Sequence, residues 1–183
     1  MTAGKSNLTP GSAEKGSRLW MQRLVDAPRF PLLAQECTAQ IGEEVEWIAP
    51  LPKNNFKEYK LNQNEAMSSL FPGADKMNIF DFWPKNQPQW DGIAIGRNSG
   101  TLYLVEAKGQ KSKAKDPKSI NQINETLKKN HAAHFPQGNF TLWTEGHYQL
   151  ANRLTFLYEI QARCVPQFFP SVRLILLNFV GDP

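Results

Sequence analysis

Two stretches in the middle of the chain alternate between apolar and polar residues as β-strands do. The first runs from Pro88 to Gly96, and the second, Thr101 to Lys108, is rich in β-branched and aromatic residues. Between them lies Arg97–Gly100, a polar segment whose residues tolerate the left-handed conformation. The pattern therefore predicts two antiparallel strands joined by a tight hairpin.

The position of the turn decides which side chains of the hairpin meet. A loop centred on Asn98 and Ser99 predicts a register in which Asp91 faces Glu106 on the same side of the sheet. A three-residue loop with a bulge at Gly100 would shift the register by one residue and turn Asp91 to the other side. We favour the first register, which a structure can test directly.

The remaining hydrophobic pattern predicts helices before and after the hairpin and one more strand. The run Met77–Trp83 is a candidate for the first strand, with a helical turn as the alternative. The nearly continuous apolar run Val172–Val180 is typical of a strand covered on both faces. The order of elements predicts an α/β fold, with a mixed sheet and helices on both sides. Helices are expected at Ser17–Val25, Pro31–Trp47, Asn62–Leu70, Lys118–Ala133 and His147–Cys164.

Length and composition indicate one globular domain. The chain has 183 residues, of which 40% are hydrophobic and 21% charged. We expect residues 1–16, which are rich in Gly, Ser, Thr and Lys, to form a flexible tail, and residues 17–183 to form a single domain. No apolar run approaches the roughly 20 residues of a membrane helix, so no membrane association is expected. The two widely spaced cysteines, Cys37 and Cys164, fit a reducing cytoplasm.

The positive charges of the chain concentrate after the second strand of the hairpin. Net charge is only +4, which permits nucleic-acid binding without requiring it. A basic segment next to acidic residues would offer contacts to a phosphate backbone. The alternative is a solvated, lysine-rich loop, and the sequence leaves the two interpretations open. The lysines concerned are Lys108, Lys111, Lys113, Lys115 and Lys118.

The acidic end of the hairpin is the candidate site. In the favoured register Asp91 and Glu106 face each other, and a period of two places Lys108 on the same face as Glu106. Opposed like charges destabilise a sheet, but they become useful when a divalent cation lies between them. The alternative is a charged strand end that discourages pairing with other sheets. The matching strand and the shared face favour the site.

These residues resemble a known signature. Asp91 followed on the next strand by Glu106-Ala107-Lys108 is similar to the motif of the PD-(D/E)XK nuclease superfamily, which has the restriction-endonuclease-like fold. Trp90 stands where the family has a proline, a residue that is not a metal ligand. Phe82-Trp83-Pro84-Lys85 and Tyr148-Gln149-x-x-Asn152-Arg153 also look like segments of uncharacterised bacterial members. The resemblance extends from Phe80 to the end of the chain.

The resemblance implies a three-layer α/β/α fold and a metal-dependent nuclease that hydrolyses DNA phosphodiester bonds. By this comparison, Asp91, Glu106 and the backbone carbonyl of Ala107 bind Mg²⁺ or Mn²⁺. Lys108 positions or activates the attacking water. Lys111 and Lys113 belong to the basic segment that follows the motif, and by their charge they would contact the nucleic acid. Members of this class often cut both strands as dimers, so the resemblance also makes a homodimer an expectation.

Two further sets of residues follow from the resemblance. Members often add a glutamate from the first core helix, and helical angles place Glu44 within the apolar stripe of Pro31–Trp47. Glu44 is therefore our candidate for the outer metal shell, with an exposed helix end as the alternative and Glu58 as a rival residue. The helix after the catalytic strand packs near the site in the family. Gln149 and Asn152 would then touch substrate or order water, unless they are surface residues.

Two other classes of function remain open. A non-catalytic module that binds nucleic acid or a protein partner could keep the nuclease fold. A hydrolase that uses glutamate and lysine without metal is the other, but neither a Gly-x-Ser-x-Gly elbow nor a phosphate-binding glycine loop supports it.

Overall fold

The computed structural model describes residues 13–63, 65–73, 77–107 and 119–179. The strands in these ranges form one sheet, and a 3₁₀ turn at Pro52–Asn54 and a π-helical turn at Leu142–Gly146 lie between elements. The helices are α1 (Gly16–Val25), α2 (Pro31–Ile41), α3 (Glu65–Leu70), α4 (Ile120–His134) and α5 (Tyr148–Cys164). The strands are β1 (Val45–Ala49), β2 (Gly92–Gly96), β3 (Leu102–Ala107) and β4 (Val172–Leu177).

The sheet is mixed, with the spatial order β1-β2-β3-β4. β1 pairs antiparallel with β2, and β2 pairs antiparallel with β3. β4 returns parallel to β3 after two helices, as a parallel connection requires a long crossover. The predicted α/β class with a mixed sheet is confirmed.

The hairpin between β2 and β3 adopts the predicted register. Ile95 pairs with Leu102 and Ile93 pairs with Leu104. The loop closes with a hydrogen bond from the Gly100 backbone N to the Gly96 carbonyl oxygen at 2.9 Å. Asp91 and Glu106 are therefore brought to the same end of the hairpin.

Helices lie on both sides of the sheet because β3 alternates between two hydrophobic clusters. Leu102 and Leu104 belong to a cluster that includes Phe156 of α5, together with residues of α4. Val105, which points the other way, belongs to a cluster that includes Met21 of α1. Glu106 shares the face of Leu102 and Leu104 and so projects towards α5.

The prediction of one helix over Pro31–Trp47 is wrong. Helix α2 ends at Ile41, and Gly42 follows with a φ of 88°, a left-handed C-cap that favours glycine. The residues after Gly42 form strand β1, whose β-branched and aromatic residues suit a sheet. The apolar residues after Gly42 keep a helical spacing only by coincidence, because the helix ends before this glycine.

Two further predictions about strands are wrong. The segment Met77–Trp83 is not a strand but consists mainly of turns, in agreement with the alternative of a turn before Pro84. Its aromatic residues Phe82 and Trp83 are buried in the core beside α5. The apolar run that forms β4 is not covered on both faces, because Leu176 is 57% exposed at the edge of the sheet. Elsewhere the observed helices start or end within a few residues of the predicted bounds.

Helices of the described residues are all too short or too polar to cross a membrane. Both cysteines are free thiols, Cys164 being buried and Cys37 half-buried. Residues 1–12 of the predicted tail lie outside the described residues, and α1 begins at Gly16.

Glu43 fastens the turn of the hairpin to the segment that enters β1. Its carboxylate accepts hydrogen bonds from the backbone N of Asn98 at 3.2 Å and of Ser99 at 3.1 Å. The hydroxyls of Ser99 and Tyr103 also donate to it, at 2.6 and 2.7 Å. These bonds, first those from the Ser99 and Tyr103 hydroxyls, lower the pKa of Glu43 to about 2.

We expect Glu43 to stabilise the fold in a pH-dependent way. Because its pKa in the folded protein lies below the ordinary 4.5, its contribution is complete above pH 4.5 and is lost as the pH falls towards 2. Glu43→Gln should therefore lower the unfolding temperature at pH 6, and the difference from the wild type should shrink by pH 2.5. Thermal unfolding followed by circular dichroism measures both. A constant difference between the two proteins across this range would contradict the assignment.

Close packing of α1 and of neighbouring strands around Gly92 predicts that an added side chain at this position destabilises the protein. An added Cβ at Gly92 would lie 2.7 Å from Met21 Cε, 3.0 Å from Trp47 Cζ3 and 3.1 Å from Val105 Cβ. Gly92→Ala should lower the free energy of unfolding by about 1–3 kcal/mol. Gly146→Ala is the control in urea unfolding, because its Cβ would meet only Leu142 Cδ2 at 3.8 Å. Equal stability of the two variants would refute the packing argument.

Candidate active site

The two predicted carboxylates meet at the end of the hairpin away from its turn. Asp91 directly precedes β2, and extending the register of β2 and β3 by one residue places it opposite Glu106. Asp91 Oδ2 accepts a hydrogen bond from the backbone N of Ala107 at 2.7 Å. That bond ties the Asp91 side chain to the strand that carries Glu106.

Both oxygens of Glu106 are held by side chains from α5. Gln149 Nε2 donates to Glu106 Oε1, and Arg153 Nε donates to Glu106 Oε2 at 2.6 Å. Gln149 and Arg153 are one helical turn apart, so they project from the same face of α5. We call these two residues the Gln149–Arg153 clamp.

Arg153 also contacts the segment that leads into β2. Its Nη2 donates to the carbonyl oxygen of Gln89 at 2.7 Å, and its guanidinium carbon lies 4.5 Å from the ring centre of Trp90. Trp90 is fully buried and occupies the position where the resembled family has proline. In this chain that departure supplies an aromatic face for the arginine.

Sequence reasoning named Arg153 as part of a familiar segment but did not assign it to the site. The helical spacing could have assigned Arg153 to the site, because it follows Gln149 by one turn on the face of α5 that carries Asn152 and Phe156. Only 5% of Arg153 is exposed, and a buried arginine requires a partner. The identity of that partner, Glu106, could not be read from α5 itself.

Glu58, which sequence reasoning ranked behind Glu44, lies near the carboxylate pair. An isolated bridge joins Tyr59 to Trp90, with the Trp90 backbone N donating to the Tyr59 carbonyl oxygen at 3.0 Å. The bridge brings Glu58 beside Asp91. Burial raises the pKa of Glu58, and the charge of Asp91 raises it further. Arg18 Nε, 3.9 Å from Glu58 Oε1, opposes this shift.

Among the described residues, the site has three carboxylates, Asp91, Glu106 and Glu58, and two arginines, Arg153 and Arg18. Burial raises the pKa of Glu106 to about 7, against the opposing effect of Arg153, and the charges of Asp91 and Glu58 add to the increase. Burial likewise raises the pKa of Asp91, although the bond from Ala107 opposes it. An additional cation would compensate the three carboxylates.

The site lies in a cleft of about 420 Å³ where the first turns of α1 and α5 approach the sheet. Ser17 lines the α1 side, and Tyr148, Gln149 and Asn152 line the α5 side together with both carboxylates. Gln149 and Asn152, predicted as substrate contacts, are therefore brought to the site. Asn152 Oδ1 is buried and, among the described residues, has no hydrogen-bond partner.

The oxygen ligands of the cleft fit a small hard cation. Asp91 and Glu106 supply carboxylates, and Ala107 also lines the cleft. Each Glu106 oxygen retains a lone pair after accepting one hydrogen bond. No group of three or more His, Cys, Asp or Glu side chains in the described ranges forms a metal cluster. Mg²⁺ commonly uses one or two carboxylates and keeps several waters, so two suffice for that ion.

Glu44 does not join the carboxylate pair. It precedes β1 at the turn end of the sheet, where 74% of its side chain is exposed and Oε2 lies 3.8 Å from Arg97 Nε. The helical premise that placed it near the core was wrong, because α2 ends at Ile41. Three other predicted residues, Lys108, Lys111 and Lys113, lie outside the described residues.

Comparisons with family models, curated proteins and solved structures find no match to this chain. The resemblance to the PD-(D/E)XK superfamily therefore rests on the residues of the motif and its accompanying segments.

The excess of negative charge predicts that neutralising Glu58 stabilises the metal-free protein. Glu58→Gln removes a charge that is repelled by Asp91 and Glu106, so the free energy of unfolding at pH 8 should rise by about 0.5–1 kcal/mol. The gain should diminish at pH 5, because Glu106, whose pKa is raised to about 7, is then largely protonated and no longer repels Glu58. Glu44→Gln is the control, since Glu44 pairs with exposed Arg97 at the other end of the sheet. Urea unfolding in the presence of chelator measures the free energy of unfolding of each variant. A lower value for Glu58→Gln than for the wild type at pH 8 would contradict the prediction.

Proposed function

We propose that this protein is a metal-dependent nuclease that hydrolyses phosphodiester bonds of DNA. The observation that carries the proposal is the pairing of Asp91 and Glu106 at the end of the hairpin, tied together by the bond between Asp91 Oδ2 and Ala107 N. These carboxylates line a cleft with polar side chains of α5. Burial of two like charges side by side lowers the free energy of unfolding, so a functional role is the better explanation for the arrangement.

Asp91 and Glu106 would hold the cation, and the backbone carbonyl of Ala107 would add a third oxygen. Bound Mg²⁺ or Mn²⁺ would supply charge neutralisation of the scissile phosphate and activation of water. Gln149 and Asn152, which line the α5 side of the cleft, would contact the substrate by hydrogen bonds. Hydrogen-bonding groups in fixed positions favour a transition state that develops charge.

Lys108 completes the proposed catalytic set. It follows Ala107 directly in the sequence, and its role would be to position or activate the attacking water. Lys111 and Lys113 come next and would contact the phosphate backbone, which makes binding sensitive to salt.

Substitution of the proposed ligands and of the lysine should abolish cleavage. Asp91→Asn, Glu106→Gln and Lys108→Met should each reduce the rate of DNA cleavage roughly 100-fold or more. The assay uses plasmid, linear duplex, branched and single-stranded DNA with Mg²⁺ or Mn²⁺, and chelator should stop it. Asp81→Asn is the matched control, because Asp81 pairs with Arg163 rather than lining the cleft.

The proposal would be contradicted if Asp91→Asn and Lys108→Met cleaved DNA at the rate of the parent protein. The activity would then belong to a contaminant or to another site. Circular dichroism of each variant excludes a loss of fold as the cause of lost cleavage.

A second candidate is a non-catalytic module that binds nucleic acid or a protein partner. The observation that favours it is the engagement of both Glu106 oxygens by Gln149 and Arg153. This candidate predicts salt-sensitive DNA binding that chelator does not change, and no calorimetric signal on titration with Mn²⁺. Chelator-sensitive cleavage distinguishes the nuclease from the module.

A further inference from the structure

The Gln149–Arg153 clamp holds a single carboxylate from two directions. One donor reaches each oxygen of Glu106, and both donors come from the same face of one rigid helix. The arginine is itself fixed by the Gln89 carbonyl oxygen and by the face of Trp90. The rotation of the Glu106 carboxylate is therefore restricted by two donors, of which Arg153 is itself anchored by further contacts.

We propose that Gln149 and Arg153 are positioning residues, which orient Glu106 so that its remaining lone pairs meet a divalent cation shared with Asp91. The inference deepens the proposed nuclease function and rests on it. Carboxylates that bind metals are usually hydrogen-bonded in turn, and loss of such partners commonly weakens metal binding 10- to 100-fold. A site held in place before the ion arrives needs no rearrangement when it binds.

A second arginine of α5, the partly buried Arg163, forms similar contacts outside the cleft. Arg163 Nε donates to Glu159 Oε2 at 2.9 Å, and Arg163 Nη1 donates to Asp81 Oδ1 at 2.6 Å. Its guanidinium carbon lies 5.2 Å from the ring centre of Phe82. This group reproduces the contacts of Arg153, with two acceptors and an aromatic face. It differs in lying outside the cleft, which makes Arg163 a matched control.

Arg153 also carries a positive charge, which opposes a cation nearby. Removal of the guanidinium would end this repulsion but would leave the buried Glu106 carboxylate with Gln149 as its one remaining donor from the clamp, and freer to rotate. A buried carboxylate that loses its charged partner is strongly destabilised, so we expect the loss of orientation to outweigh the loss of repulsion. Gln149 is neutral, and its substitution separates orientation from charge.

The test is titration of the whole protein with Mn²⁺ by calorimetry, at one pH and in parallel with DNA cleavage. Arg153→Met should weaken Mn²⁺ binding about 10- to 100-fold. Gln149→Met should also weaken it, and Arg153→Lys should recover part of the loss, because a lysine keeps the charge and can donate to Glu106, although a single ammonium nitrogen replaces the two nitrogens that reach Glu106 and Gln89. Arg163→Met should leave Mn²⁺ affinity unchanged even where it lowers the unfolding temperature.

Three outcomes would overturn the inference. Mn²⁺ affinity of Arg153→Met and Gln149→Met equal to that of the wild type would show that the clamp has only a structural role, whether or not the protein cleaves DNA. Tighter binding by Arg153→Met would show that repulsion dominates. A wild type that binds Mn²⁺ and shows the expected losses, but cleaves no DNA, would support the clamp and refute the nuclease. A wild type that binds no Mn²⁺ would refute both.

Discussion

Burial of charge at one end of the hairpin is the constraint on which the site depends. Glu106, on β3, is buried beside Asp91 and Glu58, and the guanidinium of Arg153 donates a hydrogen bond to it. Because an unpaired buried charge is strongly destabilising, α5 must dock with Arg153 in this position. One side chain thereby joins α5, β3 and the segment at Gln89 that leads into β2.

The two ends of the hairpin use carboxylates in opposite ways. At the turn, Glu43 accepts hydrogen bonds from Ser99 and Tyr103 that lower its pKa to about 2, so its ionised form is part of the fold. At the other end, burial raises the pKa of Glu106 to about 7 and also raises that of Asp91. A carboxylate of the first kind is saturated by donors, whereas one of the second kind gains from a cation. This contrast separates the candidate site from the structural acids of the chain.

Local patterns predicted those features that depend on neighbours in the sequence. The register of the hairpin followed from strand alternation and from a polar turn, so Ile93 and Leu104 pair as expected. The same reasoning failed at Gly42, where helical spacing of apolar residues continued past a helix end. It failed again at Met77–Trp83, because an apolar run that fills a core through turns looks like a buried strand.

The sequence by itself determined that Asp91 and Glu106 face each other, since period and turn length act over a few residues. Only the tertiary structure decided what surrounds them. Arg153 is 47 residues from Glu106 and 64 from Gln89, and no periodicity relates residues so far apart. The docking of α5 and the bridge beside Tyr59 brought Arg153 and Glu58 to the site, while the early end of α2 left Glu44 away from it. Such partners are set by packing of whole elements, which a local pattern does not encode.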